Sequence, residues 1–583
     1  MDDETKPTAT LAPPEPPAAP MPPVTPTAAS LGGGAGRLRW IVAGAVVALA
    51  VAVTVGAMVL FGRSATPTAL QYIPADAAIV GEIRMDLPGD QLQRLGNLLA
   101  HFPGFADQST LSTKIDQSMK RLLNTGTSQA GIDYVADVKP WLSGPAFFAV
   151  MLPADGLSAS SSEHGVISAT TTATASCEPL FRGQTITHET YRGFDLSIGS
   201  SGLAACVLDG RQGLIGDPAT VRLALDAKAA GTGMDRSASY AAAHAALGLD
   251  RLGTVYVSGD AYSKLLQTTG ATPGAADLSA LTGPLPAWAM LGVRAEDDAL
   301  VVDSVSAPVV QPANGPSLLP LPPTHASVLA PIVPADSLVF VESQGAGVAM
   351  QNLLSRLQGL PELSSAFQML NGVGGTSQLV GWIDDAGVAV SVHGAKTDAA
   401  LLIVARDEAS ASSRVAALGS LLTLMGQSSG LEIKPTTING TTVTTVTITD
   451  LGALIPPGAV PGLTIPASGP ISFSIAAHGK VVIVTSGEEA MTAILNVAPG
   501  TSLADDATFK LAGQRGLANS RTTAYVAAGA TIDLVQGLLP ADQLATFKSG
   551  LLPYLDPLQS VSITTSEDSA ATRSRFVISV TKP

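Results

Sequence analysis

The chain has 583 residues, of which 46% are hydrophobic and 14% are charged. An ordinary soluble protein carries about 25% charged residues, so this sequence has ample material for hydrophobic cores. The formal net charge of −15 repels the phosphates of nucleic acids, and this excludes nucleic acid as a partner.

Residues 1–39 are predicted to form a proline-rich, disordered cytoplasmic tail. Eight prolines lie between Pro13 and Pro26, and three glycines follow at positions 32–34. This composition cannot form a packed core and is typical of an extended, solvated tether. The pattern favours a simple spacer, and the alternative is a docking site for a partner with an aromatic groove.

Residues 40–62 are predicted to form a transmembrane helix. From Trp40 to Gly62 there are 23 residues without a charge. A helix of that length covers about 34 Å, which is enough to cross a hydrocarbon core of about 30 Å. Arg37 and Arg39 precede the run and Arg63 alone follows it, so the N-terminus is expected in the cytoplasm and the remainder outside. A cleaved signal peptide is the alternative, but its apolar region would be shorter.

An internal duplication organises the rest of the chain. Residues 210–261 align with residues 479–530 without a gap, at a constant offset of 269. The openings also correspond, since Pro74-Ala75-Asp76 matches Pro334-Ala335-Asp336 and Trp141 matches Trp382. We therefore predict a first exported repeat at 63–306, a proline-rich linker at 307–324 and a second exported repeat at 325–583.

The coarse pattern inside each repeat predicts an α+β fold. An apolar strand and an amphipathic helix come first, and helices are expected again at 218–227 and 488–496. Between them lie hairpins marked by glycine, at Arg192-Gly193, Asp209-Gly210, Asn439-Gly440 and His478-Gly479. Consecutive hairpins with separate helices indicate two related antiparallel-sheet-plus-helix repeats after one N-terminal transmembrane helix.

The beginning of the first repeat resembles a known family. The residues that carry the resemblance are Tyr72, Pro74-Ala75-Asp76, the run Asp-Leu-Pro-Gly-Asp-Gln at 86–91 and Phe102-Pro103-Gly104-Phe105. Together with one preceding span, they are similar to a family of single-pass bacterial proteins known only as a domain of unknown function. The resemblance implies export and membrane anchoring in a bacterium, and it transfers no catalytic residue. The second repeat lacks the Asp-Leu-Pro-Gly-Asp run.

No motif of catalysis or metal binding stands in a suitable context. Gly426-Gln427-Ser428-Ser429-Gly430 matches the Gly-x-Ser-x-Gly pattern of a hydrolase nucleophile, but a helix-like run precedes it and an extended segment follows it. We therefore interpret it as the end of a helix. The seven histidines show no ligand spacing, so the sequence predicts neither a metal site nor a cofactor.

Glu82 and Glu342 are equivalent carboxylates in the two repeats, each at the end of the first strand. A catalytic pair would require that they meet across the interface between the repeats. The interpretation that we favour is a carboxylate that caps a strand end or pairs with a basic neighbour.

Cys177 and Cys206 bracket the first hairpin. Cysteines of an exported domain are usually bonded, and closing a loop of about 30 residues stabilises the fold by roughly 3.5 kcal/mol in the chain-entropy model. Cys206 aligns with Ile475 on a strand, so two free buried thiols are the alternative.

Two segments differ between the repeats. Ser158–Ser176 is rich in Ser, Thr and Ala and is interpreted as a flexible loop. Residues 454–470 contain five prolines and no charge, and they carry the apolar side chains Leu454, Ile455, Val460, Leu463 and Ile465. A loop folded over its own sheet is the favoured interpretation of this insertion. An apolar lip that contacts a ligand, a partner or the bilayer is the alternative.

These features lead to a functional expectation. The chain is expected to be a non-enzymatic cell-envelope protein, anchored in the membrane through residues 40–62, whose duplicated module binds or scaffolds an envelope protein or an apolar ligand. A cell-envelope hydrolase with an unrecognised active site and a transmembrane sensor are the alternatives.

Overall fold

The structure is a computed structural model that describes residues 68–581, with gaps at 85–89, 108–112, 114–116, 118–136, 142, 152–164, 182, 203, 249, 262–283, 310–317, 359–363, 373–374, 394–395, 430 and 450–470. The described residues all lie within one compact unit. The predicted tail at 1–39, the predicted transmembrane helix at 40–62 and the apolar insertion at 454–470 lie outside the described residues.

The described part of the first half contains ten strands. They are β1 Ile79–Ile83, β2 Ala146–Val150, β3 Gly165–Thr170, β4 Ile186–Tyr191, β5 Phe194–Gly199, β6 Ala205–Asp209, β7 Gln212–Gly216, β8 Gly253–Ser258, β9 Trp288–Glu296 and β10 Ala299–Ser306. Their antiparallel pairings give the order β4-β5-β6-β7-β3-β2-β1-β8-β9-β10.

Ten strands also form the described part of the second half. They are β11 Val339–Ser343, β12 Ile383–His393, β13 Lys396–Ala405, β14 Leu431–Ile438, β15 Thr441–Ile448, β16 Ile471–His478, β17 Val481–Thr485, β18 Thr522–Ala527, β19 Leu558–Glu567 and β20 Thr572–Val580. Their order, β14-β15-β16-β17-β13-β12-β11-β18-β19-β20, repeats that of the first half strand by strand.

The described part of the chain also contains α-helices, which connect the strands. They are α1 Gln91–Ala100, α2 Pro218–Ala230, α3 Ala238–Leu247, α4 Ala346–Leu357, α5 Ser364–Gly372, α6 Gly375–Val380, α7 Glu408–Ser429, α8 Glu488–Leu495, α9 Ala507–Arg515, α10 Ala528–Leu538, α11 Ala541–Gly550 and α12 Leu552–Leu555. Mixed helices and an antiparallel sheet confirm the α+β class. None of the helices described is long and apolar enough to cross a membrane.

Local sequence explains where these elements begin and end. Asp217 caps α2 by accepting a hydrogen bond from the Thr220 N–H at 3.0 Å, and Gly231 ends the helix in the left-handed conformation. Arg192-Gly193 and Asn439-Gly440 turn their hairpins with positive φ at both residues, as the sequence indicates. At the other two predicted turns, Asp209 and His478 are the last strand residues, so the turns begin one residue later.

The segment Ser158–Ser176 contains an element that its composition conceals. Its central part, from Gly165 to Thr170, is strand β3, which pairs with both β2 and β7. The interpretation of this segment as a flexible loop is therefore wrong over these residues. The small side chains of Ser168 and Ala169 are almost fully buried there, and the Ser168 hydroxyl donates a hydrogen bond to Ala69 O at 3.0 Å.

The two halves share an equivalent backbone bridge and an equivalent buried tyrosine. Pro74 bridges to Gly233 in the first half, and Pro334 bridges to Ser502 in the second. Tyr256 and Tyr525, which the offset of 269 makes equivalent, are both buried in the main core of their own half. The boundaries at 63–306, 307–324 and 325–583 stay predictions, since part of the linker lies outside the described residues.

One strand pair joins the two halves into a continuous sheet of twenty strands among the described residues. The final strands of the halves, β10 and β20, run antiparallel from Ala299 opposite Ser579 to Ser306 opposite Thr572. Because the paired strands occupy equivalent positions, the halves are related by a pseudo-twofold axis, as in an isologous dimer interface.

A buried ionic cluster centres on Asp303 of β10. Arg575 of β20 donates a hydrogen bond to its Oδ1 at 2.6 Å, and Arg251 Nη2 lies 2.9 Å from its Oδ2. Arg294 Nε is 3.5 Å from the same oxygen. Burial lowers the pKa of Arg251, while Asp303 acts in the opposite direction. Asp303 therefore balances three guanidinium groups at the junction of the halves.

Replacing Asp303 is expected to destabilise the whole protein. In Asp303→Asn the guanidinium groups of Arg251 and Arg575 lose their carboxylate, whereas Arg294 keeps Glu296 as a partner. The loss costs about 3–5 kcal/mol because buried charge is left uncompensated. Unfolding of the full chain in denaturant measures this loss. Lys396→Ala, which breaks the exposed pair with Glu489 at 3.2 Å, is the control and is expected to cost less than about 1 kcal/mol. Equal losses in the two variants would contradict the role of Asp303.

Candidate functional site

The two predicted cysteines are bonded in the structure. The Cys177–Cys206 disulfide ties the connection between β3 and β4 to strand β6, with the two Cα atoms 5.8 Å apart. Cys206 packs in a cluster with Trp141 and Phe181, all of them buried. The disulfide thus holds a short connection over the outer face of the first half-sheet.

Glu82 and Glu342 are both buried, but they lie far apart. Their strands, β1 and β11, are separated by seven strand spacings in the sheet. At about 4.8 Å per spacing this is roughly 33 Å along the sheet, so the two carboxylates do not share a site.

The surroundings of the two carboxylates differ. Glu82 accepts a hydrogen bond from the Thr254 hydroxyl at 3.3 Å, and Arg84 Nε is 3.8 Å from it. Glu342 faces the Ser327 hydroxyl and nearby backbone N–H groups, and its Oε1 is buried without a hydrogen-bond partner among the described residues. Burial raises the pKa of Glu342. Only the first of the two thus has a basic neighbour at ion-pair distance in the described part of the chain.

Helix α7 occupies the place in the second half that the disulfide connection occupies in the first. Ala411 and Val415 near its start pack with Trp382, the equivalent of Trp141. From residue 415 to residue 431 the chain has no charge. Leu418, Leu421 and Leu424 are nevertheless 41%, 53% and 67% exposed. The C-terminal part of α7 is therefore an apolar surface in contact with solvent.

A groove of about 770 Å³ lies beside this surface, between α7 and the hairpin β14–β15. It is lined by Ala416, Gly419, Ser420, Thr423, Leu424, Ile433, Pro435 and Thr444. The Ser420 hydroxyl donates to Ala416 O at 3.0 Å, and the Thr423 hydroxyl donates to Gly419 O at 2.7 Å. Each of these hydroxyls therefore uses its one hydrogen within the helix, so neither has a donor left for a ligand, although its oxygen can still accept a hydrogen bond. We define this site, with the exposed leucines, as the α7 groove.

The predicted interaction residues Leu454, Ile455, Val460, Leu463 and Ile465 lie outside the described residues. The strands that flank their segment are described, and Ile448 of β15 pairs with Ile471 of β16. Leu431, which follows α7, pairs with Ile448 in turn. The described residues on either side of this segment therefore lie at the end of the sheet where α7 ends.

The Gly-x-Ser-x-Gly match lies in the last turn of α7. Residues 426–429 are helical, and β14 begins at Leu431. A nucleophile of this type requires a strand before the serine and a helix after it. The order in the structure is the reverse, in agreement with the helix-end interpretation.

A second cluster brings together three residues that the sequence did not connect. The ligand atoms of His325, Asp384 and Asp385 lie within 4.8 Å of one another. Burial raises the pKa of Asp385, and Asp384 raises it further, whereas the Gly345 N–H, His325 and Lys480 lower it. The paired carboxylates at 384–385 were a visible signal, but His325 lies about 60 residues away in the chain. Spacing rules for metal motifs therefore could not find the cluster.

The disulfide should stabilise the chain through its closed loop. Cys177 and Cys206 are 29 residues apart, so reduction should lower the free energy of unfolding by about 3.5 kcal/mol in the chain-entropy model. Denaturant unfolding of the full chain with and without a reductant measures the difference. The double variant Cys177→Ala/Cys206→Ala should be insensitive to the reductant. An equal response in the variant, or none in the natural chain, would contradict the prediction.

Known solved structures resemble the chain only distantly. Crystal forms I, III and IV of TP0453 match at 11%, 13% and 14% identity, with TM-scores of 0.20, 0.21 and 0.21. The matches cover 42%, 44% and 45% of this chain and 79%, 94% and 92% of the TP0453 chains. Similarity at these TM-scores supports no inference about fold or function. The comparison with curated proteins gives no match.

The family comparison covers almost the whole chain. The model of a family described as "Protein of unknown function (DUF3352)" matches residues 41–580. This confirms the resemblance to a domain of unknown function, while bacterial origin and membrane anchoring stay predictions. The chain thus belongs to the DUF3352 family.

Proposed function

We propose that the chain is a single-pass membrane protein whose exported region is a non-enzymatic binding module, and that this module takes an uncharged apolar ligand in the α7 groove. The observation that carries the proposal is the exposure of Leu418, Leu421 and Leu424 on the uncharged C-terminal part of α7, beside this groove. Soluble proteins rarely leave several large apolar side chains together in water unless the surface has a partner.

The lining of the groove defines the chemistry of the ligand. Its volume of about 770 Å³ is sufficient for a small molecule, which would lie in an open groove and stay partly exposed to solvent. None of the eight lining residues is charged. Pro435 has no N–H group to donate, and the hydroxyls of Ser420 and Thr423 donate within the helix. The hydroxyl oxygens of Ser420, Thr423 and Thr444 can accept a hydrogen bond from an alcohol group. A long aliphatic molecule without a charge fits these properties.

Binding accounts for the described residues better than hydrolysis does. The Gly-x-Ser-x-Gly match lies in a helix, and Glu82 and Glu342 lie in separate halves. A sensor that signals through the 1–39 tail would require a partner for that tail, and its composition favours a spacer.

The anchoring part of the proposal rests on residues 40–62. This run has no charge and sufficient length for one span, and the match to the family begins at residue 41. The excess of Arg before the span supports a cytoplasmic tail and two repeats outside the membrane.

The topology can be tested with reporter fusions. A reporter that works only in the cytoplasm should be active when it is inserted after residue 30. A reporter that works only outside the cytoplasm should be active when it is placed after residue 583. Arg37→Glu combined with Arg39→Glu should weaken or invert this orientation, because the positive charges before the span are lost. N-terminal sequencing of the mature protein is the second measurement. A mature protein that begins near Ala65 would show a cleaved signal peptide and contradict the anchor.

Ligand binding can be tested with a diazirine-bearing hexadecanol and the full chain in lipid nanodiscs. Photolabelling should concentrate on peptides that contain residues 416–424 and 433–444. Leu424→Glu should reduce labelling of these peptides about tenfold, the effect of about 1.4 kcal/mol of lost binding free energy. The reduction is expected because a charge at the groove opposes entry of an aliphatic chain.

Leu538→Glu is the matched control for this experiment. Leu538 is also on a helix and is 70% exposed, close to the 67% of Leu424, but it does not line the groove. This variant should be labelled like the natural chain. Labelling of the groove peptides that is unaffected by Leu424→Glu, or that does not exceed labelling elsewhere, would refute the proposed ligand site.

A further inference from the structure

We propose that His325, Asp384 and Asp385 bind one divalent transition-metal ion. The three side chains come from two separate segments of the second half, and their ligand atoms lie within 4.8 Å of one another. One imidazole nitrogen with two carboxylate oxygens is a donor set that suits Zn²⁺ and Mn²⁺. The site is distinct from the α7 groove and does not depend on the proposed function.

The spacing of the best-placed pair fits metal coordination. His325 Nε2 and Asp385 Oδ2 are 3.2 Å apart. Two ligands at about 2.1 Å from a metal are separated by about 3.0 Å at octahedral angles and about 3.4 Å at tetrahedral angles. The observed distance lies between these values, so an ion can contact both atoms with little movement of either side chain.

His325 has its other ring nitrogen engaged. Nδ1 lies 2.8 Å from the Ala326 carbonyl oxygen, to which it donates in the matching tautomer. This leaves the Nε2 lone pair free to face Asp385. A histidine ligand is commonly oriented in this way by a backbone carbonyl on the ring nitrogen that does not bind the metal.

Asp385 is aimed into the cluster by a single backbone contact. Its Oδ1 accepts a hydrogen bond from the Gly345 N–H at 2.9 Å. Its Oδ2, which faces His325, is buried without a hydrogen-bond partner among the described residues, and the whole side chain is only 1% exposed. An unsatisfied carboxylate oxygen at that depth is costly unless a cation occupies the site.

A β-bulge allows two consecutive carboxylates to meet at one point. Ile383 pairs with Ala405 and Ala386 pairs with Ile403, so Asp384 and Asp385 together oppose the one residue between Ala405 and Ile403. In a regular strand, neighbouring side chains point to opposite faces. The bulge re-aims one of them, a device that is frequent beside functional sites.

The backbone around the cluster is held in place by partly buried hydrogen bonds. The Gln344 side chain accepts from the His325 N–H at 2.8 Å and donates to the His325 carbonyl at 2.7 Å. Arg521 donates to Pro322 O at 2.9 Å and to Gln344 O at 3.3 Å. These bonds fix the segment that carries His325 against the sheet before any ion binds, which reduces the ordering cost of binding.

A simple His–Asp ion pair does not explain the cluster equally well. His188 and Asp195 form such a pair with the same separation of 3.2 Å, and both side chains are largely exposed. The His325 cluster differs from it by a third ligand, Asp384, and by the burial of Asp385. Two carboxylates beside one imidazole repel each other, and a divalent cation removes that repulsion.

The test uses the full chain in nanodiscs, stripped with a chelator and titrated with Zn²⁺ by calorimetry. One Zn²⁺ per chain should bind with a Kd of about 1 μM or tighter. His325→Gln and Asp385→Asn should each weaken binding at least about 100-fold, since each removes a ligand and not only an outer contact. Co²⁺ in place of Zn²⁺ should produce visible absorption bands that both variants lose.

His188→Ala is the matched control and should bind Zn²⁺ like the natural chain. Circular dichroism of each variant in the chelator establishes that it is folded. If Asp385→Asn fails to fold because its site is buried, His325→Gln decides the matter, since His325 is partly exposed. Absence of a tight Zn²⁺ site in the natural chain, or unchanged binding in folded His325→Gln, would overturn the proposal.

Discussion

The pairing of β10 with β20 is the interaction on which the architecture depends. Each half ends its sheet on an edge strand, and an unpaired edge exposes backbone groups that promote aggregation. The two edges cover each other from Ala299 to Ser306. Asp303 lies within this pairing and brings arginines from both halves to one carboxylate. The halves therefore share one sheet and one buried charge cluster, so that neither half is expected to be independent of the other.

Among the described residues, the two copies of the duplicated unit differ on the outer face of the strands β4–β7 and β14–β17. In the first half, the short connection 171–185 is fixed there by the Cys177–Cys206 disulfide. In the second half, the longer connection 406–430 forms α7. Trp141 and Trp382 pack beneath these two different coverings. The first solution leaves a small, covalently fixed cap, whereas the second leaves exposed leucines beside a groove.

The sequence predicted what depends on local patterns. The glycine turns at Arg192-Gly193 and Asn439-Gly440 and the helix after Asp217 follow from backbone preferences within a few residues. The sequence did not predict the Asp303 cluster, because the β8–β9 and β9–β10 pairings bring Arg251 and Arg294 to Asp303, and the β10–β20 pairing between the halves adds Arg575. It also missed β3, whose Ser, Ala and Gly residues resemble a loop in composition. The His325 cluster escaped detection because it requires a bulge in β12, and a register shift has no reliable local signature.

The two halves differ in their buried carboxylates and in their exposed apolar surface, and these differences indicate that function has developed in the second half. At equivalent positions on the first strand of each half, Glu82 has Arg84 and Thr254 as partners, whereas Glu342 retains a buried oxygen without a partner among the described residues. Near Glu342 the second half adds Asp385, another buried carboxylate, and it also carries the exposed apolar part of α7. Such features reduce stability, and proteins generally retain them where a ligand compensates for the cost. Since the first half pairs its Glu82 with Arg84 and Thr254 and fixes the connection over its outer face with a disulfide, it can serve as the stable support on which the second half has diverged.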